Sequence, residues 1–185
     1  MGCDIHLRVE ARPKINPYPN QPHYWSCAGF FGEFSSRVYG MFARMAAVRS
    51  YNDSYKVQFK PRGLPKDIVS YSILCSFYLS VTDDKDLAEY NPEYCHRTNA
   101  EEWVKVGISK WVDDKKFIIT NPDYHSASWL TTQELRQCFD DCFKEKDGTY
   151  RPNSDYIDWL GLVSLCEGIE SDGIYECRVV FAFDN

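Results

Sequence analysis

A chain of 185 residues can bury one sizeable core, and 16% aromatic residues within a 44% hydrophobic total mark a folded globule, not a disordered tail. A formal net charge of −6 argues against broad binding to nucleic-acid backbones, which needs an excess of Lys and Arg, but leaves room for a small anion held by a few placed arginines. No segment approaches the roughly 20 apolar residues of a membrane helix, and no basic stretch leads into an apolar run at the start, so the expectation is a cytoplasmic protein off the membrane, one domain over 1–185.

Residues Cys3 to Glu10 alternate strictly: Cys3, Ile5, Leu7 and Val9 fall on one face of a strand, and Asp4, His6, Arg8 and Glu10 on the other. Pro13, Pro17, Pro19 and Pro22 then make Ala11 to Tyr24 an extended loop, since each proline removes an amide donor and restricts the residue before it. Arg37 to Arg49 places Val38, Met41, Phe42, Met45 and Val48 at helical spacing, with Ser35 or Ser36 placed to cap, while Arg37, Arg44 and Arg49 lie off the apolar stripe beside Tyr39. Arg62-Gly63-Leu64-Pro65 reads as a turn, and Ser70 to Val81 as a strand.

Asn99 with Glu102 suits a short helix that Gly107 ends, and Phe117 to Ile119 a brief strand leading into Asp123-Tyr124-His125 and Ser126 to Trp129. Thr131 and Glu134 form a capping box with Leu130 and Leu135 as a hydrophobic staple, which starts a helix at Thr132 running to about Lys146, where Asp147-Gly148 stops it. A further helix runs from Asp155 to near Gly168, and the last strand from Ile174 to Phe183. The two terminal segments carry the strongest strand character. They should pair centrally in a mainly antiparallel sheet of an α+β fold, with three to four helices covering the face of Ile5, Leu7 and Val9 and the other face left partly open.

The eight cysteines contain no Cys-x-x-Cys pair, and most read as reduced, buried small side chains; Cys138 and Cys142, one helical turn apart, belong with Leu135 and Phe139 in the core.

Two chemistries suit the remaining polar residues. In a strand, Asp4 and His6 point the same way with Cα atoms roughly 7 Å apart, and Asp123-x-His125 repeats that spacing. Together Asp4, His6, Asp123 and His125 supply four ligands of types suited to Zn or Mn, with Glu10 as base in a metal-dependent hydrolase acting on a phosphorylated or nucleotide-like substrate; without a metal, His6 or His125 would serve as general acid or base beside Asp4 or Glu10. The bland reading is a hydrogen-bonded His6 in the sheet and a turn at Asp123. Alternatively, Arg37, Arg49 and Arg62, with Tyr39 and Trp129 as stacking faces and Ser128 as a donor, form a non-enzymatic pocket for a small anionic or nucleotide-like ligand, which copies in a homo-oligomer could share. A surface for a host protein, built on the aromatic residues, is the plainest alternative.

Met1-Gly2-Cys3-Asp4-Ile5-His6, Arg37-x-Tyr39-x-x-Phe42 with Val48-Arg49, Arg62-Gly63-Leu64-Pro65, Asp123-x-His125-Ser126-x-Ser128-Trp129-Leu130-Thr131 and the closing Val180-Phe181-x-Phe183-Asp184-Asn185 together resemble an uncharacterised family of phage and bacterial proteins, from end to end of the chain. Asp83 to Lys110 and the proline-rich loop lie outside the resemblance. The family carries no assigned activity. What the resemblance implies is a phage-encoded protein of the host cytoplasm, and with it a counter-defence role in which a nucleotide-like signalling molecule is bound and sequestered.

Overall fold

The computed structural model describes residues 2–29, 33–34, 36–50, 55–67 and 77–184, with Glu33 described in its backbone only. Ser35, most of the strand expected from Ser70, and the terminal Met1 and Asn185 lie outside the described residues. In chain order the elements are β1 (Asp4–Pro13), β2 (Ser26–Gly29), β3 (Glu33–Phe34), α1 (Tyr39–Ala46), β4 (Tyr78–Thr82), α2 (Lys85–Tyr90) and β5 (Tyr94–His96). They continue with α3 (Arg97–Lys105), β6 (Ile118–Thr120), β7 (His125–Thr131), α4 (Thr132–Phe143), α5 (Ser154–Glu170) and β8 (Tyr175–Asp184). None of the described helices is long and apolar enough to cross a membrane. The chain divides into two compact units, 1–68 with 126–185, and 69–125.

The first unit is α+β, built on a sheet of order β2-β1-β8-β7 with β3 also on β1. The terminal strands β1 and β8 are its inner pair, antiparallel over ten positions from Asp4↔Asp184 to Pro13↔Tyr175. Residues opposite one another share a face. Cys3, Ile5, Leu7 and Val9 therefore combine with Cys177, Val179, Phe181 and Phe183, and these pack with Met41, Phe42 and Met45 of α1, Leu135, Cys138 and Phe139 of α4, and Trp159, Leu162 and Val163 of α5. Each such side chain, fully buried, contributes on the order of 2 kcal/mol through the water it leaves.

The second face is partly open, as expected, at its ends, where Asp4, His6, Arg12, Glu176 and Asp184 are half-buried, while Arg8, Glu10, Val180 and Ala182 at its centre are buried. Charge pairing across the strands accounts for the burial of Glu10, which meets Arg178 directly opposite.

One helix start follows its expected capping residues and two do not. Thr131 and Glu134 form the reciprocal capping box, so α4 starts at Thr132 as expected. It ends at Phe143, short of Lys146, because Lys144 turns extended and bridges to Tyr150. Helix α1 is shorter than Arg37 to Arg49. Ser36, expected as a cap, donates its hydroxyl to Asp155 Oδ1 at 2.9 Å instead, and Ala47 takes a left-handed conformation with φ of 56° that closes the helix. Arg37 and Arg49 consequently sit outside it. Gly40 lets α1 approach α4, for a Cβ there would lie 3.2 Å from Cys142 Sγ.

The second unit carries a three-stranded sheet of order β5-β4-β6, with β4 and β5 parallel and joined through α2, and β4 and β6 antiparallel. Leu79, Val81, Cys95, Ala100 and Ile119 form its core, with Trp103, Val104 and Trp111 packed against them. Helix α2 had no expectation attached. Asp84 caps it by accepting from the Asp86 and Leu87 amides at 3.0 and 3.1 Å. Helix α3 starts two residues before Asn99, since His96 Nδ1 accepts from the Thr98 amide at 3.3 Å.

Candidate functional site

The polar face of β1 and β8 ends, toward Arg12 and Glu176, in a cavity of about 540 Å³ within the first unit. That volume lies within the usual range for small-molecule sites. Three arginines reach its wall, Arg12, Arg62 and Arg178, together with Lys66, two tryptophans, Trp25 and Trp129, and the carboxylates Asp67 and Glu176.

Register explains most of the assembly. Arg12 continues the alternation of Asp4, His6, Arg8 and Glu10, and Arg178 and Glu176 stand on the same face of β8. One step beyond the pair Ala11↔Ser26, Trp25 comes beside Arg12. The Arg178 guanidinium carbon lies 4.0 Å from the centre of the Trp25 ring, and that of Arg12 4.3 Å from it, so this indole is held by two cations. The guanidinium groups are themselves fixed. Arg178 Nε donates to Glu10 Oε2 at 2.6 Å, and Arg12 Nε to Glu176 Oε1 at 2.5 Å.

Asp67 draws these groups together. Its carboxylate accepts from Arg178 Nη1 at 2.7 Å, from Trp25 Nε1 at 2.8 Å and from Arg12 Nη1 at 3.2 Å. Partial burial works to raise its pKa, but the hydrogen bonds from Arg178 and Trp25 prevail and hold the carboxyl below its ordinary value.

Also lining the cavity, Arg62 makes a forked pair with Glu134, Nη1 to Oε2 at 2.8 Å and Nη2 to Oε1 at 2.6 Å. Burial again opposes this, yet the Arg62 bond keeps the Glu134 carboxyl below its ordinary range. Glu134 is also the capping-box acid of α4, so the helix start positions Arg62. The Arg62 guanidinium carbon lies 5.0 Å from the centre of the Trp129 ring, which is half-buried. Ser128 is buried behind them, its hydroxyl accepting from the Arg62 amide at 3.1 Å.

Of the residues that the sequence suggested for ligand binding, Arg62 and Trp129 therefore line this cavity, and the buried Ser128 holds the Arg62 backbone. Arg37, Tyr39 and Arg49 gather elsewhere, about the first residues of the chain. Arg37 forks onto Asp4, with Nη2 donating to Oδ2 at 2.6 Å, while Arg49 Nη2 donates to the Gly2 carbonyl at 3.1 Å and its guanidinium lies 5.7 Å from the Tyr39 ring centre. His6 Nε2 lies 3.0 Å from Asp184 Oδ2.

The two Asp-x-His elements fall in different units, Asp4 and His6 in the first, Asp123 and His125 in the second. Asp123 sits in a turn, its amide donating to Asn121 Oδ1 at 3.0 Å, and His125 is half-buried at the first position of β7. Among the described residues no three His, Cys, Asp or Glu side chains group as metal ligands. Glu10, expected as a base, is wholly buried against Arg178.

No family model, curated protein or solved structure matches the chain. Arg12, Trp25, Asp67, Glu176 and Arg178 had not been singled out. Arg12 was within reach by extending the alternation two residues, and Arg178 by registering the terminal strands. Trp25 and Asp67 stand in loops, where no period announces them.

Among the described residues, Cys3, Cys95, Cys138, Cys166 and Cys177 are buried free thiols as expected, whereas Cys27 is half-buried. Cys138 is buried in the core with its thiol pushed up to about 12 by burial, and Cys142 packs at the same core's edge.

Proposed function

We propose that the first unit binds, without chemical change, a small ligand that combines a planar ring with an acidic group, a nucleotide-like molecule. The observation that carries this reading is the meeting of three fixed guanidinium groups with two indoles around one cavity. Guanidinium groups match the oxygens of phosphate or carboxylate, and the half-buried Trp129 ring offers a face on which a base can stack, while Trp25 holds Arg12 and Arg178 in place. With the phage setting that the sequence resemblance implies, such binding sequesters a signalling nucleotide and makes the protein a counter-defence factor.

The hydrolase reading asks Asp4, His6 and Glu10 to serve a metal or a proton transfer. Each is instead paired with a charged side chain, Asp4 with Arg37 at the surface, and His6 with Asp184 and Glu10 with Arg178 across the strands. The binding reading draws on groups that reach a cavity wall.

Isothermal titration against a panel of linear and cyclic nucleotides tests the proposal. Binding with the ligand recovered intact after denaturation is expected, and Arg62→Ala or Trp129→Ala should each weaken it roughly tenfold or more. Turnover of the nucleotide, or affinity indifferent to both substitutions, would refute it.

A further inference from the structure

Asp67 is the odd member of the cavity wall. Its partners come from three separate places, β1 (Arg12), β8 (Arg178) and the residue before β2 (Trp25), and Glu176 and Glu10 hold the two guanidinium groups in position independently of Asp67. Asp67 itself comes from the segment after the Arg62-Gly63 turn. That segment is tied to β7 at its near end, through the Gly63 amide to the Ala127 carbonyl at 2.9 Å and the Arg62 amide to Ser128 Oγ. The Asp67 side chain is 51% exposed, against 5% for Arg178. Three donors built into a buried framework thus converge on a carboxylate from a half-exposed loop.

Resting on the binding reading above, we infer that Asp67 occupies the seat of the ligand's acidic group and is displaced from it when the ligand binds. The charge count narrows the ligand further. Arg12 and Arg178 face Glu10, Glu176 and Asp67, which leaves one negative charge; without Asp67 the group is neutral, and a singly charged anion in the same seat restores the native balance. A doubly charged phosphate would exceed it, and Lys66, exposed at the mouth, offsets little through solvent. The acidic group that fits is therefore a monoanion with at least two acceptor oxygens. A phosphodiester, as in a cyclic nucleotide, has this charge at every working pH, whereas a terminal phosphate gains its second charge near pH 6.

The seat is self-occupied, so the ligand's apparent affinity is reduced by the fraction of molecules in which Asp67 holds it. Removing the carboxylate relieves that competition.

The test measures affinity for the 3′,5′-cyclic monophosphates of the four common nucleosides, with the 5′-monophosphates and free nucleosides as controls, in the wild-type protein, Asp67→Ala and Asp67→Asn. The asparagine variant keeps an acceptor for Trp25 Nε1 and so covers the case in which the alanine variant is poorly folded. Both variants should bind the cyclic monophosphate about tenfold more tightly, with a gain at least as large for the 5′-monophosphate and none for the free nucleoside, and in each protein the cyclic monophosphate should be the tighter ligand of the two. Arg12→Ala added to either variant should abolish the gain. Wild-type binding that is unchanged or weakened by both Asp67 substitutions overturns the inference and leaves the cavity as a binding site. Absence of nucleotide binding by all three proteins overturns both readings together.

Discussion

The polar face of β1 carries a carboxylate near each end, and each meets an arginine, yet the two ends are physically unlike. At the start of the strand Asp4 pairs with an Arg37 side chain that is 53% exposed. Toward the far end Glu10, with no exposure, pairs with the nearly buried Arg178, and Trp25 covers that guanidinium. The same residue types make a solvated surface pair in one place and the foundation of a cavity in the other. Function thus depends less on which charged residues a strand displays than on which of them an aromatic side chain and a neighbouring loop remove from water.

That contrast can be broken most severely at Glu10. Glu10→Ala leaves the Arg178 guanidinium without its buried partner, and a loss of about 3–5 kcal/mol in unfolding free energy is expected, read by denaturant titration with a matching fall in Tm. Loss below about 1 kcal/mol would mean that Asp67 alone can satisfy Arg178.

A smaller effect is expected in acid. The folded pKa values of Asp67 and Glu134 lie below their ordinary values near 4, so between the two the unfolded chain binds more protons and stability rises with pH. Their contribution is complete above that ordinary range and is lost as pH falls through it toward the depressed folded values. Thermal melts from about pH 7 to pH 3 should show this decline, and Asp67→Asn combined with Glu134→Gln should flatten part of it. An unchanged slope in the double variant would place the acid sensitivity at other carboxylates.

The smallest effect belongs to the exposed end. Arg37→Ala should cost no more than about 1 kcal/mol, since solvent screens the pair with Asp4, and raised salt should shrink the difference further. A loss comparable to that of Glu10→Ala would erase the distinction between the two ends.

Much of the scaffold was legible in the residues. Alternation from Cys3 to Glu10 identified both faces of β1, and Thr131 with Glu134 located the start of α4, because a local pattern decides each. The limits of α1 were not legible: the Ser36 hydroxyl turned to Asp155, a contact 119 positions away, and Ala47 ended the helix without glycine. Half of the proposed ligand set was legible for a similar reason. Arg62, Ser128 and Trp129 are neighbours through the Arg62-Gly63 turn and β7, whereas Arg37 and Arg49 were grouped with them by chemistry alone, and the fold takes those two to the other end of the strand.

The pairing of β1 with β8 also governs how the protein is made. Asp4 bonds with Asp184, 180 positions away, so the inner pair of the sheet cannot form until nearly all the intervening chain has left the ribosome, a wait on the order of ten seconds or more at typical translation rates. Until then Ile5, Leu7 and Val9 lack the strand that completes their face. Folding of the first unit is therefore a late, slow, topologically non-local event, and the nascent N-terminal strand is the segment most in need of shielding by a chaperone.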